Sequence, residues 1–167
     1  MIHHKVTSLR IMYQYLNNTL LAFLLSLKDL GSPLSQEEKA TLFDIAEQLS
    51  VNASIETWKE LTEPTLLAVI QGNESLKQQF QTVKSHLDAL NNTAPLELLP
   101  TETELDQVAP KKKQPISFVL PDDSDNRKNY ETTNMVISAT SRILETPQPD
   151  ETVKKLSRLD KKRIPSA

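Results

Sequence analysis

The sequence predicts an all-α protein: a small bundle of about five helices over residues 1–92, then a largely disordered, proline-rich, charge-blocked tail over residues 93–167. Three observations carry this. Apolar residues in the front half recur at helical spacing, with no strand-like alternation. Glycine, proline and capping residues punctuate that half where helices should end and begin. Eight of the ten prolines lie beyond residue 93, while both glycines lie before it.

The first helix is expected over residues 6–30. Leu9, Leu16, Phe23 and Leu30 repeat every seven residues, Met12, Leu20 and Leu27 fill the turns between them, and Leu21 and Leu25 widen the stripe. So wide an apolar stripe needs cover from several neighbours or a second chain. Gly31 sits where a left-handed C-terminal cap belongs, and Pro33 prevents continuation.

Ser35 with Glu38 has capping-box spacing and opens a second helix with Leu42, Phe43, Ala46 and Leu49 on one face. A short third helix spans about 54–61 through Ile55, Trp58 and Leu61. Pro64 suits the first position of a fourth, which Gly72 ends. The fifth carries Leu76, Phe80, Val83, Leu87 and Leu90 at the 4-3-4-3 spacing of a coiled-coil-like seam.

Beyond residue 93, Pro95, Pro100, Pro110, Pro115 and Pro121 come too often for a long helix or a central strand. Two apolar islands interrupt this polar stretch. Ile116, Phe118, Val119 and Leu120 form a β-prone run suited to adding a strand to a partner's sheet, or to folding back on the helices. Residues 134–145 suit a helix with Val136, Ala139 and Ile143 on one side.

Charge is distributed in blocks. Residues 1–92 carry seven Lys/Arg against ten Asp/Glu, and residues 93–110 carry four acids and no base. Residues 152–167 carry six bases, Lys154, Lys155, Arg158, Lys161, Lys162 and Arg163, against one acid. That cluster offers an anionic surface phosphate-type contacts without interleaved aromatics for stacking.

Several function classes lose support. Absence of cysteine excludes disulfides and thiol chemistry and fits a cytoplasmic setting. His3, His4 and His86 have no ligand-like carboxylate pattern around them, no glycine-rich phosphate loop is present, and no nucleophile is paired with a base. Neither an enzyme nor a cofactor or metal is therefore expected.

The longest apolar run, residues 20–27, is too short to span a bilayer, and its flanks do not suit a signal peptide. Residues 46–58 have the outline of a helix-turn-helix. Their second helix, however, carries Glu56, Glu60 and Glu63 against Lys59 alone, the wrong sign for a phosphate-lined groove.

These readings lead to a non-catalytic adaptor or assembly protein with a protein partner, and with self-association as one mode. The expected contact residues are Leu9, Leu16, Phe23 and Leu27 on the first helix and Ile116, Phe118, Val119, Leu120, Val136 and Ile143 in the tail. The alternative is a nucleic-acid-associated regulator that grips phosphate through the six C-terminal bases.

Overall fold

The computed structural model describes residues 2–51, 54–90, 96–109 and 127–165, with the side chains of 2–10, 96 and 127–130 outside that description. These residues are mostly helical and include no strand. The elements are α1 (Ile2–Lys28), α2 (Gln36–Val51), α3 (Ile55–Thr57), α4 (Glu63–Gln71), α5 (Glu74–Ala89), α6 (Glu102–Val108), α7 (Arg127–Leu144) and α8 (Pro149–Lys154).

The centre is α1. Every residue from 16 to 27 is buried, including Asn17, Asn18, Thr19 and Ser26. A helix buried on all sides must be surrounded. Here α5, α7 and α8 pack on it, while α2 packs on α7 and on α4, and α4 on α5. From Leu16 onward, the wide stripe read from the sequence is therefore covered within the chain.

Local chemistry explains the breaks between helices. After α1 the chain tightens, with Leu30 N–H bonding to the Leu27 carbonyl at 3.2 Å. Such a tightened turn satisfies terminal carbonyls without a left-handed residue. Gly31 accordingly does not take the left-handed conformation expected of it.

The capping box at α2 is present: Glu38 N–H donates to Ser35 Oγ at 3.1 Å, and Ser35 N–H donates to Glu38 Oε1 at 2.8 Å. The expected third and fourth helices form one continuous run, because a π turn over Trp58–Thr62 joins α3 to α4. Asn73 caps α5 through its side chain, which accepts from Leu76 N–H at 3.1 Å.

Residues beyond 93 contribute to the same core. Leu98, Leu99 and Leu105 are buried, as are Val136, Ile137, Ile143 and Leu144 on α7 and Val153, Leu156 and Leu159 in and after α8. Of the described parts of the expected tail, α7 packs on α1 and α2, α8 on α1 and α7, and α6 on α7. Prolines do not prevent this, since Pro149 occupies the start of α8, where a missing N–H costs nothing. Residues 110–126, with the 116–120 run, lie outside the described residues.

Helix α6 is fixed at both ends. Thr101 and Glu104 form a reciprocal capping box. Arg142 of α7, only 3% exposed, reaches Glu102 at 2.9 Å, Asp106 at 2.8 Å and the Ala109 carbonyl at 3.2 Å.

Candidate functional site

Six basic residues lie along the folded C-terminal stretch. Pro149 starts α8, and buried Asp150 accepts the Leu34 N–H at 3.3 Å. The hydroxyls of Thr146 and Thr152 meet at 2.8 Å. Val153, Leu156 and Leu159 then turn inward at intervals of three, each fully buried. Burying three such side chains contributes about 1.5–3 kcal/mol apiece.

Polar contacts hold the same stretch to α1. Lys28 Nζ donates to the Leu156 carbonyl at 2.7 Å, and Lys161 lies 3.0 Å from Asp29. Asp160 accepts the Lys162 N–H at 2.9 Å and starts a short 3-10 turn over Lys161–Arg163.

With the apolar residues turned inward, Lys154, Lys155, Lys161, Lys162 and Arg163 stand exposed and Arg158 half-buried. All six predicted bases therefore lie along this packed C-terminal stretch, five of them exposed. Acids interleave with them: Glu151 pairs with Lys154 at 3.4 Å and Asp29 with Lys161. The exposed Ser157 donates from Oγ to Glu104 Oε2 at 3.1 Å, linking the edge to α6.

The expected apolar contact residues divide differently. Leu16, Phe23 and Leu27 on α1 and Val136 and Ile143 on α7 are fully buried within the chain's own core. α1 is covered by α5, α7 and α8, and α7 by α1, α2 and α8, which leaves these five side chains no surface for a partner in this fold. The side chain of Leu9 lies outside the described residues, as do Ile116, Phe118, Val119 and Leu120. The seam of α5 likewise faces α1 and α4 of the same chain.

Two other surface features were not legible beforehand. A groove of about 280 Å³ between α6 and α7 is lined by Leu99, Pro100, Leu105, Met135 and Ala139. Met135 is 51% exposed there. The second is a polar seam where α1, α4 and α5 meet. Lys84 Nζ stands 4.2 Å from the Tyr15 ring centroid and 2.9 Å from Asp88, whose other oxygen accepts from Asn18 Nδ2 at 3.0 Å. Burial, then the carboxylates of Glu63 and Asp88, pushes the Tyr15 hydroxyl above its ordinary pKa.

Ser157 and Glu104 were also missed. The available signal was Ser157 itself, with Lys154 and Lys155 three and two residues before it and Arg158 directly after, and the Thr101–Glu104 capping pair that predicts α6. Among the described residues no group of three or more His, Asp or Glu side chains is placed to hold a metal ion, and no helix is long and apolar enough to cross a membrane. No family model matches the chain, and no curated protein or solved structure is detectably similar to it.

Proposed function

We propose that the protein is a non-catalytic adaptor that docks an acidic segment of a protein partner along its C-terminal basic edge. The observation that carries this reading is the anchoring of the basic run by Val153, Leu156 and Leu159. Charges on a fixed surface lose less entropy on binding than charges on a loose arm, so each contact keeps more of its attraction.

The interleaved acids favour a protein over a nucleic acid. Glu151, Asp160 and Asp29 would face part of any phosphate backbone and repel it. A polypeptide can place its own basic residues opposite those positions. The six bases within ten residues are what keep nucleic acid as the second reading.

Fluorescence anisotropy of the full chain with a labelled polyglutamate peptide, and separately with duplex DNA, distinguishes the two. The adaptor reading expects salt-sensitive peptide binding that falls about tenfold in the Lys155→Glu/Lys162→Glu/Arg163→Glu variant, since each exposed pair contributes roughly 0.2–1 kcal/mol. Tighter binding of DNA with a steeper salt dependence would move the assignment to nucleic acid.

A further inference from the structure

We propose that Ser157 is a phosphorylation site for a serine kinase with an acidic peptide groove, and that the phosphate switches the basic edge off. This rests on the adaptor reading for its consequence, though not for the modification itself.

The geometry provides both halves of the argument. Ser157 is exposed, outside any helix, between α8 and the 3-10 turn at Lys161–Arg163. Lys154 and Lys155 precede it by three and two residues, and Arg158 follows it. Kinases select substrates by such charge patterns, because basic side chains before the acceptor fit an acidic groove. The nearby hydroxyls of Thr146 and Thr152 are buried and bonded to each other, so they are poor acceptors.

In the transfer, Ser157 Oγ bonds to the γ-phosphorus of ATP. The bond from that phosphorus to the bridging oxygen breaks, ADP leaves with the electron pair, and the hydroxyl proton passes to the kinase's base.

The product would alter two contacts. Ser157 now donates to Glu104. A phosphorylated Oγ has no proton to donate and sets about -1.5 to -2 charges against that carboxylate, which repels the α6 end. The same charge lies among Lys154, Lys155 and Arg158 and draws them away from an acidic partner.

The test treats the full chain with a basophilic serine/threonine kinase and ATP, then maps phosphate by tandem mass spectrometry. Ser166 follows Arg163 at a spacing of three and serves as the internal comparison. One phosphate on Ser157 is expected, absent from Ser157→Ala and reduced in Lys154→Ala/Lys155→Ala. Hydrogen exchange over residues 102–108 should rise, and polyglutamate affinity should fall about tenfold. Phosphate on Ser166 alone, or none while a control peptide is turned over, overturns the proposal. So does a Ser157-phosphorylated chain with unchanged exchange in α6 and unchanged affinity. If the unmodified chain ignores polyglutamate, the adaptor reading fails by itself, and phosphate mapping with α6 exchange still decides the modification.

Discussion

Arg142 Nη2 stands 2.8 Å from Asp106 Oδ1, and the two ends of this pair live in different surroundings. The arginine side chain is 3% exposed and the aspartate 47%. The buried cation therefore depends on the pair far more than the solvated acid does. Asp106→Asn should cost under about 1 kcal/mol, since Glu102 and the Ala109 carbonyl still hold the guanidinium. Arg142→Ala should cost about 2–3 kcal/mol and release α6, because it removes all three contacts and leaves a void at α7. Urea unfolding of both variants, with hydrogen exchange over residues 102–108, checks the asymmetry; equal losses would refute it.

Leu156 and Leu159 test whether the C-terminal stretch belongs to the core. Both are fully buried. Leu156→Ala and Leu159→Ala should each destabilise the whole protein by about 2–5 kcal/mol, the usual range for a buried leucine. The loss should appear as one cooperative shift in thermal unfolding. A solvated basic arm would give no change.

How far the sequence revealed this fold depends on the range of the interaction. Local signals read well. Ser35 with Glu38, Pro64 near the start of α4, Asn73 and the Leu76, Phe80, Val83, Leu87 face all act within a turn or two, and the structure places them as their chemistry demands. What covers α1 is a long-range question. Leu16 and Phe23 announce burial but not by what, and the cover of α1 comes from α5 and also from α7 and α8, which lie more than a hundred residues on. Proline density masks part of that cover. It marks where helices stop; beyond it residues 134–145 still read as a helix, whereas α6 is signalled only by Thr101 with Glu104. The basic edge was legible as charge. Its ordering was not, because Val153, Leu156 and Leu159 carry too little apolar area to fold without α1 beside them.

The contact of α2 with α7 relies on small residues. Ser141 Oγ donates to the Ala46 carbonyl at 2.9 Å, and both residues are fully buried. Backbones approach closely enough for that bond only when neither side chain is bulky. Ser141→Ala removes one buried bond but leaves the carbonyl in its own helix, and should cost about 1 kcal/mol. Ser141→Leu forces the helices apart and should cost about 1–3 kcal/mol or more. Differential scanning calorimetry should rank the wild type first, alanine second and leucine last; a leucine variant as stable as alanine would show the crossing to be loose.

Glu63 gives the fold a pH dependence whose sign can be worked out. It opens α4 beside α5, half-buried, with Oε2 buried and lacking a hydrogen-bond partner among the described residues. Burial holds its carboxyl above the ordinary value, against the opposing pull of Lys84 and Lys59. A raised acid binds its proton more tightly in the native state than in the unfolded one. Its ionised form therefore weakens the fold at neutral pH, and that penalty is relieved as pH falls through the raised native value. Glu63→Gln mimics the protonated form. It should melt higher than the wild type at pH 7, and the two should converge as the pH approaches 4. Thermal melts across that interval provide the check, because a glutamine variant that is less stable at pH 7 would mean Lys84 and Lys59 outweigh desolvation.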